Sequence, residues 1–212
     1  MPQRLKENVR ARIVTAAAAV FARDGYAAAK LSDVAERADT STSNIYKYFD
    51  NKEALFDEIV TPPLAARLLT LLRARVRELG SIDNWPNADA KGSLRAQALL
   101  AFWIKHRFAV LILLRGAEET RYAHIRQLMV REMERQTCRY LLERFGQEAV
   151  PSSLHFVLHK LFERSLDMIA DILAEYDDAA SIRQSFALFW RYQLAGLQSL
   201  LALDVSRQED AE

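Results

Sequence analysis

The chain has one cysteine in 212 residues, so Cys138 forms no internal disulfide and packing must hold the fold together. Its six glycines and five prolines are too sparse to cut it into strands of about five or six residues, and long helical stretches are expected between them. No purely apolar run exceeds seven residues (16–22, 98–104 and 108–114), far below the roughly 18 that a membrane span requires, and no membrane partner is expected. Neither sign of charge dominates: 29 basic against 28 acidic residues leave +1, so any nucleic-acid surface must be a local one. The opening Met-Pro-Gln-Arg-Leu-Lys-Glu carries no apolar core, and with the lone cysteine this makes the cytoplasm the expected location. Glycine-rich phosphate loops, His-Glu-x-x-His and Cys-x-x-Cys are all missing, so neither cofactor nor metal is expected. Apolar residues are abundant, half of the total, which suffices for one sizeable core or two small ones and excludes disorder as the main state.

The expected fold is all-α, with an N-terminal three-helix domain over residues 1–56 and a larger helical bundle over 57–212. Val9, Ile13, Ala16, Ala17, Val20 and Phe21 recur at helical spacing on one face, and Gly25 after Asp24 suits a C-terminal cap. Two short patterns follow at 31–38 and 42–49, joined by Asp39-Thr40-Ser41, with Ser41 placed to cap the second and Asp50 with Glu53 placed to open the next helix. Two short helices behind a longer one make the helix-turn-helix plan of DNA readers. Further helices are expected at 52–79, 93–106, 108–115, 121–145, 152–175 and 179–203, with a polar loop at 81–91. Pro62 and Pro63 should kink or break the first of these near residues 59–61.

The residues at 13–26 (Ile-Val-Thr-Ala-Ala-Ala-Ala-Val-Phe-Ala-Arg-Asp-Gly-Tyr), 33–38 (Asp-Val-Ala-Glu-Arg-Ala), 41–49 (Ser-Thr-Ser-Asn-Ile-Tyr-Lys-Tyr-Phe) and 51–56 (Asn-Lys-Glu-Ala-Leu-Phe) resemble the DNA-binding segment of the TetR family of transcription regulators. The resemblance covers about a quarter of the chain, and its specificity lies in the spaced combination. It implies a DNA-binding regulator, a repressor by expectation, with a helical ligand-binding and dimerisation domain behind the reading head. Two positions depart from the pattern. Asp39 stands where the family usually has glycine, and Lys30 stands where serine or threonine commonly caps the second helix. Asp39 tolerates the left-handed conformation at some cost, and Lys30 is placed to reach a backbone phosphate instead.

Residues 1–52 carry nine basic and six acidic groups, a local positive excess. After the Ser41 cap, Thr42, Ser43 and Asn44 form the first turn, the end that a recognition helix presents to the major groove. Short polar side chains allow close approach, and Asn44 has the amide pair that reads adenine. Lys47 lies near the same face, within reach of a base or a phosphate. The family pattern implies phosphate contacts for Tyr46, Tyr48 and Lys52. The bland readings stand beside these: Tyr46, Tyr48 and Phe49 as core aromatics, Lys30 and Lys47 as solvated charges, Asn44 as a helix-start residue bonding backbone.

The near-continuous apolar stretch 98–114 holds a polar triplet, Lys105-His106-Arg107, and an apolar cavity with a few polar handles is the usual form of a small-molecule site. Phe102, Trp103, His106, Met129 and Met133 are the candidate lining, with plain core as the alternative. Helices 152–175 and 179–203 carry apolar stripes wider than one core needs, so Leu158, Met168, Ile172, Phe186, Phe189 and Gly196 are expected at a homodimer interface. His155 and His159 share a helical face at the spacing of two zinc ligands, but nothing completes a metal site, and Cys138 reads as a packed side chain. The expected partners are double-stranded operator DNA with a pseudo-palindromic sequence, an apolar or amphipathic small-molecule effector, and a second copy of the chain. The rivals are a helical interaction scaffold that binds no DNA and a small helical enzyme, the latter disfavoured by the missing catalytic motifs.

Overall fold

The computed structural model describes residues 2–79, 93–146 and 150–209. Every regular element among them is helical: α1 (Pro2–Ala28), α2 (Leu31–Arg37), α3 (Thr42–Ile45), α4 (Lys52–Ile59), α5 (Pro62–Leu79), α6 (Leu94–Lys105), α7 (Arg107–Leu111), α8 (Ile125–Phe145), α9 (Ser152–Glu175) and α10 (Ala179–Glu209). A π-helical turn, Ile112–Gly116, follows α7 directly. The loop expected at 81–91 lies outside the described residues. No single helix among the described residues is long and apolar enough to cross a membrane.

The backbone divides into two compact units, Met1–Ala66 with His106–Arg126, and Arg67–Lys105 with Gln127–Glu212. The first is larger than the 1–56 segment expected to form the DNA-binding domain, because α7 and the π-turn pack on α1. Ile13, Ala16, Ala17, Ala18, Val20 and Phe21 are all buried, a surface of small side chains that admits neighbours closely on several sides. α2, α4, α7 and the π-turn all take places on it. Phe21, Tyr26 and Phe56 form an edge-to-face and tilted ring cluster with centroids 4.9–5.9 Å apart.

Gly25 breaks the first helix, at the position expected from the sequence. It kinks the helix with φ 76° and ψ 164°, and helical bonding resumes as far as Ala28. The kink accommodates a close approach: a Cβ built on Gly116 would lie 2.9 Å from the Gly25 Cα and 3.1 Å from the Phe21 carbonyl. Arg126 fastens the same turn by donating from Nη1 to the Leu114 carbonyl at 3.0 Å.

Pro62 and Pro63 break the stretch 52–79 into two helices. Val60 is extended (φ −110°, ψ 92°), and the Thr61 hydroxyl accepts from the Leu64 amide at 3.3 Å. The prolines thus occupy the first turn of α5, where their missing N–H groups would have had no helical partner. α4 opens at residue 52 as expected, but its cap is Asn51 and not Asp50, the Asn51 side chain accepting from the Ala54 amide at 2.7 Å.

In the second unit, α9 turns Leu154, Leu158, Phe162, Leu166, Ile169, Ile172 and Leu173 inward, and α10 adds Ile182, Phe186, Leu194 and Leu197. Gln193 of α10 donates to the Ser165 hydroxyl of α9 at 2.8 Å, which fixes their register.

Gly116→Val would force side-chain carbons into the backbone of α1. Thermal unfolding should show a loss of about 1–3 kcal/mol, the usual scale of overpacking, and an undiminished midpoint would mean that the two glycines are not needed for the contact.

Candidate nucleic-acid interface and ligand cavity

The turn between α2 and α3 is built by backbone bonds. The Thr40 amide donates to the Ala35 carbonyl at 3.0 Å and the Asp39 amide to the Glu36 carbonyl at 3.1 Å, the paired bonds of a Schellman end. Asp39 takes the left-handed conformation at φ 48°, in the position expected from the sequence. Arg12 of α1 donates from Nη2 to the Asp39 carbonyl at 3.4 Å. Lys30 stands extended at the N-cap of α2 and makes no capping bond, so its exposed ammonium is left for other uses.

Ser41 caps α3, its hydroxyl accepting from the Asn44 amide at 3.1 Å. The α-helix proper is short, but bonds from Tyr48 and Phe49 to the Ile45 carbonyl carry the turn on to residue 49. Ile45 and Phe49 are buried and anchor the segment; Ser41, Ser43, Tyr46 and Lys47 are exposed, with Tyr46 at 54%. Thr42, Asn44 and Tyr48 are half-buried. The Asn44 side chain is held in place, since its Nδ2 donates to the Thr40 hydroxyl at 2.8 Å. An amide carries two N–H donors and a carbonyl, so one N–H and Oδ1 remain, the complementary pair for adenine.

Lys52, for which the family pattern implies a phosphate contact, also makes contacts within its own domain. Its Nζ donates to the Ala27 carbonyl at 3.2 Å and lies 4.6 Å from the centre of the Tyr26 ring. Burial pushes this ammonium below its usual range against the opposing charge of Glu119. Lys52 is therefore a clamp between α4 and the end of α1. Arg10 plays a similar part, pairing through both Nη atoms with the Glu58 carboxylate at 3.0 and 2.7 Å. Those bonds hold the Glu58 carboxyl below its usual range, against the opposing effect of burial.

Sequence reasoning missed Thr40, which orients Asn44, and the exposed Arg12 and Arg37, which line one cleft with Asp39. The two arginines were visible as basic residues near the turn, but only the folded chain brings residues 12 and 37 together.

The second unit holds a half-open cavity of about 340 Å³ whose walls include Arg75, Gln97, Leu99, Leu100, Trp103, Arg183, Phe186 and Trp190. A smaller one of about 70 Å³ shares Arg75, Leu99, Trp103 and Trp190. Of the lining residues expected from the sequence, Trp103 borders both and Met133 the smaller; Met129 is buried outside their walls. Phe102 is half-buried but not a wall residue, and His106 falls in the other unit. Arg75 was missed altogether, although it continues the row Leu68, Leu72 and Leu79 on α5.

Among the six residues expected at a dimer interface, Leu158, Ile172 and Phe186 are buried in their own protomer, and Phe189 is half-buried. Met168 and Gly196 face outward. Among the described residues, the large outward apolar side chains of the two helices are Phe156, Val157, Leu161 and Met168 on α9 and Leu188 and Tyr192 on α10, the last at 76% exposure. His155 and His159 do not converge on one point: His159 pairs with Glu134 at 2.8 Å, while His155 lies 3.8 Å from the Cys138 sulfur.

Residues 13–59 match the family model of bacterial regulatory proteins, tetR family. No curated protein matches the chain. Among solved structures, a protein described as a TetR-family transcriptional regulator from Mesorhizobium loti is 17% identical, covering 90% of this chain and 96% of its own, with a TM-score of 0.42. A transcriptional regulator from Aquifex aeolicus is also 17% identical, with coverage of 91% and 99% and a TM-score of 0.40. The fatty acid degradation regulator FadR from Bacillus halodurans is 16% identical, with coverage of 87% and 97% and a TM-score of 0.40.

Asn44→Ala should relax sequence preference at one operator position by about 1–3 kcal/mol, the scale of a base contact. Thr40→Val, which frees the amide without removing it, should give a smaller relaxation at that same position. Site selection from a randomised duplex pool reads both. An unchanged consensus for Asn44→Ala would remove it from base reading.

Proposed function

Because residues 13–59 match the model of the tetR family of bacterial regulatory proteins, we propose that the chain is a transcription regulator of that family that binds operator DNA as a homodimer and responds to a small molecule. The observation that carries this reading is the α3 turn, where Ile45 and Phe49 anchor a segment that exposes Ser43, Tyr46 and Lys47 and orients Asn44. Thr42, Ser43 and Asn44 approach base edges in the major groove. Lys30, Arg12, Arg37, Lys47 and the Tyr46 and Tyr48 hydroxyls supply backbone contacts, which position the protein without reading sequence. Repression is the simplest output, since an occupied operator blocks access to the promoter.

The effector is read as an occupant of the cavity lined by Trp103 and Trp190. The chain itself links that cavity to the reading head: Trp103 on α6 is three residues from His106, where the backbone enters the unit built on α1. A second link is α5, which starts at Pro62 in the first unit and carries Arg75 to the cavity. An effector acts along these links only if it binds two arrangements of the chain with unequal affinity.

The decisive experiment is binding of the protein to duplex DNA from its own upstream region across a salt series. A regulator should bind with affinity that falls steeply as salt rises, because each neutralised phosphate releases counterions. No binding at low salt would favour the scaffold reading instead.

Dimerisation is assigned to the outward faces of α9 and α10, with Val157, Leu161 and Met168 meeting Leu188, Tyr192 and Gly196 of the same patch on a second copy. Gly196 has open space where a Cβ would stand, which allows close backbone approach. Sedimentation at micromolar concentration should give a dimer, and Leu188→Glu with Tyr192→Glu a folded monomer. A parent chain that sediments as a monomer would refute the assignment.

A further inference from the structure

Arg75 is 1% exposed, the largest fully buried side chain among the described residues. It stands on the apolar row of α5 with Leu68, Leu72 and Leu79. Its Nη1 donates to the Glu78 carboxylate at 2.8 Å and lies 3.4 Å from the Ser93 hydroxyl. Ser93 in turn donates to the same Glu78 oxygen at 2.5 Å. Burial pushes the Glu78 carboxyl up, but the bonds from Ser93 and Arg75 and the charges of Arg75 and Arg95 outweigh it and hold the group below its usual range. Glu78 is thus an anion that balances the buried cation and occupies one of its three nitrogens.

The other two nitrogens, Nε and Nη2, are buried without a partner. They form one edge of the guanidinium plane, and its parallel N–H bonds match the two oxygens of a carboxylate. The indole N–H groups of Trp103 and Trp190 are likewise buried and unpartnered. All of these are donors, and all three residues border both cavities, with the Arg75 guanidinium 5.6 Å from the Trp190 ring. A buried donor left unmade is penalised by its lost hydration, so the cavity lacks an acceptor. Most of the rest of its wall is apolar, Leu99, Leu100 and Phe186 with the faces of both indoles, while Gln97 and Arg183 also border it. Trp103 and Phe186 pack with ring centroids 5.0 Å apart.

We propose that the cavity binds a small amphipathic carboxylic acid, its carboxylate paired with Nε and Nη2 of Arg75 and its apolar body among Leu99, Leu100, Trp103, Phe186 and Trp190. The indole N–H groups give further donors to the ligand's oxygens. The acid's regulatory meaning rests on the reading of this cavity as the effector site; its binding does not.

The test is calorimetric titration of the full-length chain with octanoate, methyl octanoate and octylamine, which share an apolar body and differ in the head group. Octanoate should bind about tenfold or more tightly than the ester, the scale of hydrogen bonds to a charged group. Octylamine should not bind. Arg75→Lys keeps the charge and loses the two-pronged edge, so it should weaken octanoate by about tenfold and the ester much less. Helical content and thermal midpoint show that the variant is folded, and the head-group comparison in the parent chain stands without it. Equal affinity for acid and ester, or no octanoate binding at millimolar concentration, overturns the proposal. Salt-sensitive DNA binding without carboxylate preference would overturn it and leave the regulator reading intact. Octanoate binding without DNA binding would do the reverse.

Discussion

The covering of α1 is the constraint from which the first unit follows. Its buried residues are mostly small, with three alanines among Ile13, Val20 and Phe21, and small side chains gain dispersion energy only when neighbours come very near. α2 and α4 cover part of the helix, and α7 with its π-turn reaches back from residues 107–116 to cover more. Close approach there is possible because two glycines face each other, and the kink at Gly25 is the conformation that brings them together. The aromatic cluster of Phe21, Tyr26 and Phe56 and the clamps of Lys52 and Arg10 then hold α4 against the same helix. The turn between α2 and α3 stands on this base through α2.

Much of this was legible in the sequence, because local chemistry determined it. Ser41 caps α3, Asp39 takes positive φ in the turn, and the prolines at 62 and 63 break the long helix, each from the properties of one or two residues. The face of α1 was legible because helical spacing alone puts Ile13, Ala17 and Phe21 on one side. What escaped depended on distant partners. Lys52 has the sequence position of a phosphate ligand, and only the folded chain shows Ala27 and Tyr26 beneath it. Gly116 punctuates the sequence like any other glycine, and nothing local shows that it meets Gly25.

The apolar stripes of α9 and α10 illustrate a different limit. Their excess width was readable from the pattern, yet periodicity cannot say which edge of a wide stripe turns inward. Packing decides: Leu158 and Phe186 enter the protomer core, while Leu161, Met168, Leu188 and Tyr192 remain outside. A stripe read from sequence therefore gives the total apolar surface, and the fold divides it between core and outer face.

Arg75 is the residue whose position stability alone explains least. A charge at the centre of a helical bundle loses its hydration, and a well-packed apolar side chain of similar volume in its place is often neutral or stabilising. Here the loss is only partly compensated, since Glu78 and Ser93 meet one nitrogen and leave two. A partly satisfied buried network is less favourable than an apolar core or a complete one. Because Glu78 already balances the charge, an incoming anion is favoured less by net attraction than by the arrangement of donors it finds. Selectivity then rests on geometry: a neutral acceptor can take one N–H, while a carboxylate fits the whole edge and leaves no donor of Arg75 buried and unmade.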